Sequence, residues 1–172
     1  MEVTSAASFV EYYKSLRQRT ARLVACIPQE RVEWTFREGR FTLGDLVRHV
    51  AAIERYMFAE TVQGRPSRYP GHGRELADGL DAVRSFMDRL HEESLAIFAS
   101  LDEAALRGRC ETPGGVSVPV WKWLRALCEH EIHHRGQIYV YLALLEVETP
   151  PLYGLTEQDV RRRSLAGDAP TA

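Results

Sequence analysis

The stretch ALCEHEIHHRGQIYVY, residues 126–141, holds His130, Glu131, His133 and His134 within five positions. Two imidazoles four residues apart on a helix stand side by side, the spacing that suits two ligands on one metal ion. Taking ~100° of rotation per helical residue, His134 lies ~40° and Gln137 ~20° from the line through His130. Trp123, Leu127 and Tyr141 fall within ~60° of that line, so His130 and His134 occupy consecutive places on a stripe that is otherwise core. Two neutral imidazoles on such a stripe bring N–H groups that cost ~1–3 kcal/mol each if left without partners. His49 sits in the same way on a second apolar stripe, Leu46, Val50, Ile53 and Met57. A lone histidine on an apolar face reads first as a satisfied core residue. A second one, facing an independent pair, reads as the third ligand of a site in a bundle core. Three protein ligands leave a coordination position for water or substrate, as catalytic metal sites do.

The same residues also spell H-E-x-x-H, the zinc-peptidase pattern in which the glutamate activates a metal-bound water. The continuation argues against it. Gln137 and Val140 stand where one peptidase group has Gly and His. Glu157, in a short tail segment, is the one candidate for the downstream glutamate of another. The chain offers almost no strand to hold an extended peptide. The remaining histidines carry less: His72 reads as a surface residue, His91 as a solvated one, and His133 as a flanking residue.

The elements that must position these side chains are mostly helical. Ser5 caps a first helix to about Ile27, with Phe9, Tyr12, Tyr13, Leu16, Leu23 and Ile27 at helical spacing and Pro28 as the stop. Thr42 and Asp45 form a capping-box start for the helix that carries His49, which ends near Gln63-Gly64. The Gly- and Pro-rich run 63–79 is irregular. A third helix covers about Leu80 to Ser100 on the stripe Leu80, Val83, Met87, Leu90, Ser94 and Ile97. Cys110 with Val116 and Val118 can make a small hairpin around Pro113-Gly114-Gly115, or the segment is an irregular loop. The histidine helix runs from about Pro119 to Val147, and Thr156 caps a possible short tail helix. This pattern predicts one all-α domain over 1–172, an antiparallel four-helix bundle with long crossover connections and a frayed tail at 164–172.

Composition agrees with an ordinary globular chain: 172 residues, 45% apolar, 27% charged, net charge −2. The acids and bases are interspersed, with no basic stripe for nucleic acid. No apolar run approaches the ~20 residues of a membrane span, and no secretory leader is evident. Three cysteines without metal-knuckle spacing read as reduced thiols, the expectation for a cytoplasmic protein.

Three segments resemble the DinB-like (YfiT-like) superfamily of bacterial four-helix-bundle metalloproteins. FTLGDLVRHVAAIERYMF is similar to that family's second-helix segment, CEHEIHHRGQIYVYLALLEVETP to its His-Arg-Gly-Gln signature, and PPLYGLTEQDV to its tail. The resemblance spans about residues 5–163 and implies that His49, His130 and His134 bind one divalent transition metal, Zn, Ni or Fe. It also implies a homodimer acting on a small-molecule substrate. Some members are thiol S-transferases or isomerases that use a low-molecular-weight thiol, whose pKa a metal lowers; an open three-histidine site can equally serve a hydrolase by activating water. The competing expectation is non-enzymatic: a metal that only braces the bundle, with Glu131, Glu54 or Cys128 closing the coordination shell, or a dimeric binding module. Gln137 is expected to bond a ligand imidazole, Arg135 to pair with Asp45 or Glu54, and the loops 64–79 and 108–118 to shape the mouth. Gly136, costly inside a helix, implies a close helix or room for a ligand.

Overall fold

The computed structural model describes residues 3–166. Helix α1, Ala6–Val24, starts where the Ser5 hydroxyl accepts from the Ser8 N–H at 3.4 Å. It stops three residues before the predicted end. Ala25, Cys26 and Ile27 close the last turn with tightened bonds such as Cys26 N–H to the Leu23 carbonyl at 2.9 Å. Pro28 disfavours helix at the residue before it. Helix α2, Leu43–Ile53, opens on the predicted capping box: Thr42 Oγ1 accepts from the Asp45 N–H at 2.9 Å, and Asp45 Oδ2 accepts from the Thr42 N–H at 3.0 Å.

The chain then leaves the predicted α-helical path. Glu54–Phe58 forms a π-turn before the short α3, Ala59–Thr61. The wider turn shifts the phase of the inward face. Phe58 and Glu54 are buried as a result, whereas Met57, expected on the core stripe, is only half-buried. Helix α4, Leu80–Ala99, follows, then the short α5, Glu103–Arg107, which the sequence reading did not foresee and which Asp102 caps at the Ala105 N–H, 2.7 Å. The predicted hairpin is present as β1, Arg109–Glu111, antiparallel to β2, Ser117–Pro119, with Cys110 opposite Val118. Helix α6, Val120–Leu144, carries the histidine motif, and α7, Glu157–Ala166, is capped by Thr156 Oγ1 at the Asp159 N–H, 3.1 Å. Residues 164–166, expected to fray, are the last turn of α7. The rest of the expected frayed tail, 167–172, lies outside the described residues.

The four long helices make a bundle. Helix α2 packs on α4 and α6, and α1 packs on the same two. Consecutive helices α1 and α2 are therefore diagonal, as are α4 and α6, so the connections 25–42 and 100–119 cross the ends of the bundle. The sequence predicts long crossover connections, and 100–119 is one of them; 25–42 reads from the sequence as a short connection but crosses too, and the Gly- and Pro-rich run 63–79 joins the adjacent helices α2 and α4. No helix among the described residues is long and apolar enough to cross a membrane.

The core has two apolar halves. One gathers Leu23, Leu46, Val83, Leu90 and Ile138; the other gathers Tyr13, Leu16, Phe98, Leu124 and Leu127. On α1, α4 and α6 buried polar groups sit between the contributions to the two halves: Arg17 and Thr20, His91 and Ser94, Glu131 and Arg135. His130 and His134 fall in that interval of α6, whereas His49 lies among residues of the first half and the buried Glu54 follows Ile53, the start of the second.

Candidate metal centre

His49 on α2 and His130 and His134 on α6 come together across the contact of those two helices. Their ring centroids are 5.1 Å (His49–His130), 4.7 Å (His49–His134) and 4.4 Å (His130–His134) apart. One ring nitrogen from each lies within 4.8 Å of the other two, and no acidic or cysteine side chain among the described residues joins the group. His49 Nε2 faces His130 Nε2 at 3.2 Å. The remaining nitrogens of two rings are occupied from behind. His49 Nδ1 is 2.7 Å from the Tyr69 hydroxyl, and His134 Nδ1 is 2.7 Å from Gln137 Oε1. An amide oxygen only accepts, so His134 carries its proton on Nδ1 and leaves the Nε2 lone pair for the cluster. The predicted role of Gln137 is thus seen in its geometry. His130 Nδ1 is buried without a protein partner.

All three rings are held neutral. Burial is the largest cause of the lowered pKa of His49, brought to about 4 with help from His134 and His72. Burial also dominates at His130, brought to about 3, with His134 and His49 adding to it. His134 is lowered by burial too, against an opposing contribution from its bond to Gln137. Neutral imidazoles are the protonation state a transition metal requires, and the set fits Zn, Ni or Fe without choosing among them.

Several neighbours depart from expectation. His72, read as a surface residue, is half-buried, 3.2 Å from the Tyr69 hydroxyl and packed on Phe41 with centroids 4.2 Å apart. His91, read as solvated, is buried with Nδ1 2.9 Å from Glu54 Oε1. Glu54 also pairs with Arg17, and Glu131 accepts from Thr20 Oγ1 at 2.6 Å and lies 3.2 Å from Arg17. These carboxylates neutralise a buried guanidinium and do not complete the histidine group. Cys128 stays outside it as well, its thiol pushed up to about 12 by burial and then by Glu131. Arg135 pairs with neither Asp45 nor Glu54; it is buried and donates to the Leu16 carbonyl at 3.4 Å. The glutamate of the H-E-x-x-H pattern therefore sits in the core, away from where a peptidase needs its base.

The histidine group borders an open cleft of about 660 Å³, walled by Phe36, Phe41, Tyr141 and His134 and reaching Arg37 and Arg40. Gly136 lies on this wall, and a Cβ there would meet nothing within 4 Å, so the glycine makes room and no helix approaches it closely. The loop 64–79 packs Tyr69 and His72 against His49, but neither it nor the 108–118 hairpin lines the cleft, whose walls come from the 36–41 connection and α6 with Leu46 of α2. Tyr69 and Phe41 escaped the sequence reading because each lies in an irregular segment, where no periodicity marks an inward side chain.

No curated protein matches the chain. Among solved structures it is similar to a DinB-like protein from Bacillus subtilis (TM-score 0.70, 23% identity, 84% of this chain and 97% of that one). It is also similar to a DinB-like protein from Bacillus cereus (TM-score 0.72, 15% identity, 86% and 97%). A mycothiol-dependent maleylpyruvate isomerase is similar more distantly (TM-score 0.52, 21% identity, 79% of this chain and 63% of that one). At these identities the likeness is one of fold. The sequence pattern of the DinB superfamily itself matches residues 12–138, through the helix that carries His49 and the motif with His130 and His134, and the chain belongs to that superfamily.

Proposed function

We propose that His49, His130 and His134 hold one divalent transition metal, and that the protein is a metal-dependent enzyme acting on a small molecule, of the thiol S-transferase or hydrolase kind. The observation that carries this is the convergence of three neutral imidazoles beside an open cleft, with no fourth protein donor in the group among the described residues. Structural metal sites are usually closed by four protein ligands, so an unfilled shell beside a cavity favours catalysis over bracing. When bound, such a metal would lower the pKa of a coordinated thiol or water. The chain's own part is orientation. Tyr69 and Gln137 fix two of the rings from behind, Phe41 and Phe58 pack on the imidazoles, and Phe36 and Tyr141 wall the approach. Both buried cysteines have raised thiol pKa values, Cys110 chiefly by burial, so neither supplies a ready thiolate, and a thiol reaction would bring its sulfur with a cofactor or substrate. The fold likeness to a mycothiol-dependent isomerase supports the thiol branch.

Two measurements test the reading. Elemental mass spectrometry on the wild type and His49→Ala, prepared side by side, should give about one metal per chain in the first and almost none in the second. Cobalt-substituted protein titrated with cysteine should develop a sulfur-to-metal charge-transfer band if a coordination position is open. Metal retained by His49→Ala would refute the ligand set, and an unchanged cobalt spectrum would return the site to a bracing role.

A further inference from the structure

The cleft beside the histidines has a charge that the chain as a whole does not. The protein carries a net −2, yet among the described residues no acidic side chain lines this cleft, whereas Arg37 and Arg40 both do. The acids that lie nearest in sequence are already committed: Glu33 and Asp45 both pair with Arg48, at 2.8 and 2.7 Å. Glu38 lies between the two arginines in sequence but is not part of the cleft wall, and neither arginine forms an ion pair among the described residues. Both arginines stand on one turn of the backbone. Arg37 and Arg40 are the ends of a tight turn, closed by the Arg40 N–H on the Arg37 carbonyl at 3.1 Å, with Gly39 at φ 76° supplying the left-handed residue that the turn needs. Thr35 Oγ1 donates to the same carbonyl at 3.1 Å. Aromatic contacts pin the turn on both flanks. Phe36 packs on Tyr141 with centroids 5.4 Å apart, and Phe41 packs on His49 at 5.4 Å. The result is a paired cationic rim above an aromatic wall that ends at His134.

We propose that this cleft binds a small organic acid, its carboxylate held by Arg37 and Arg40 and its apolar body laid along Phe36, Phe41 and Tyr141 toward the histidine group. Guanidinium forks match a carboxylate in bidentate geometry, and an aromatic wall rewards an apolar body more than an inorganic anion. The inference deepens the function proposed above by naming the class of substrate, and it uses that reading only for what the acid is brought to.

The probes are benzoate and its uncharged isostere benzamide, titrated by calorimetry into zinc-loaded and zinc-free protein, wild type and the Arg37→Gln/Arg40→Gln double variant. Zinc content and the thermal unfolding curve are measured on each sample. Benzoate should bind the zinc-loaded wild type at least tenfold more tightly than benzamide does. That preference should weaken with added salt and fall about tenfold in the double variant, whose zinc content is unchanged. The arginine dependence should persist in zinc-free protein, which separates the rim from direct ligation of zinc by the probe. Benzoate binding that is equal in wild type and double variant, or no better than benzamide, or absent at millimolar concentration, overturns the proposal while leaving the metal reading intact. Arginine-dependent benzoate binding by a protein that takes up no zinc would uphold the acid site and refute the metal reading.

Discussion

Two histidines of the cluster, His49 and His134, are held from behind by a hydrogen-bonding side chain. A metal-binding imidazole must present one nitrogen at a fixed angle, and the partner on the other nitrogen sets tautomer and orientation. His134 has an amide oxygen there and His49 has the Tyr69 hydroxyl, whose own oxygen lies 3.2 Å from His72 Nδ1. Tyr69 comes from an irregular loop, so α2 does not orient His49 alone. Tyr69→Phe keeps the ring packing and removes the hydroxyl. It should weaken zinc affinity about tenfold in competition with a chelator, leaving the circular dichroism unchanged. Gln137→Leu should act similarly through His134. An affinity equal to wild type in both variants would mean that the helices alone orient the imidazoles.

The elements show why part of this arrangement was legible in the sequence and part was not. Caps and breakers are local chemistry, and Ser5, Thr42 with Asp45, Pro119 and Thr156 mark the helix starts where the structure has them. The i, i+4 histidine pair was legible for the same reason: its meaning lies within one helix. The buried polar layer was not. Tyr12, expected in the core, is 42% exposed, while Arg17 on the same helix is 4% exposed, because the carboxylates that make its burial tolerable come from other helices. The π-turn at Glu54–Phe58 is equally hidden, since periodicity assumes an unbroken 3.6-residue repeat. Arg17 neutralises Glu54 and Glu131 together, so Arg17→Leu would leave two buried carboxylates uncompensated. A loss of about 3–5 kcal/mol is expected in urea unfolding. Glu60 gives this logic a pH signature. It is buried among Arg55, Arg65 and Arg68; burial works to raise its pKa, but the hydrogen bonds from these guanidiniums outweigh it and bring the carboxyl to about 2. A carboxylate whose folded pKa is depressed stabilises above its unfolded value, ~4.3, and that contribution is lost as pH falls towards the folded one. Wild type should therefore lose roughly 2 kcal/mol more than Glu60→Gln between pH 5 and 2.5, measured by urea unfolding across that range.

At the scale of the whole molecule, the candidate centre lies where two helices distant in sequence meet. His49 and His130 are 81 positions apart, and their helices α2 and α6 form one of the four contacts that close the bundle. The unfolded chain holds this set of nitrogens together only at the entropic cost of closing that long loop. A metal that binds the folded bundle and not the open chain must therefore stabilise the whole, by about 2.7 kcal/mol at a free concentration one hundred times its dissociation constant. For a domain of this size that corresponds to a rise in Tm of roughly 5–10 °C. The rise should grow with zinc concentration, vanish in His130→Ala, and be matched by slower amide exchange in α2 and α6 together. Slowing confined to α6 would mean that His130 and His134 bind the ion without His49. A Tm indifferent to zinc, nickel and iron alike would mean that the three neutral imidazoles serve the polar layer of the bundle and bind no ion there.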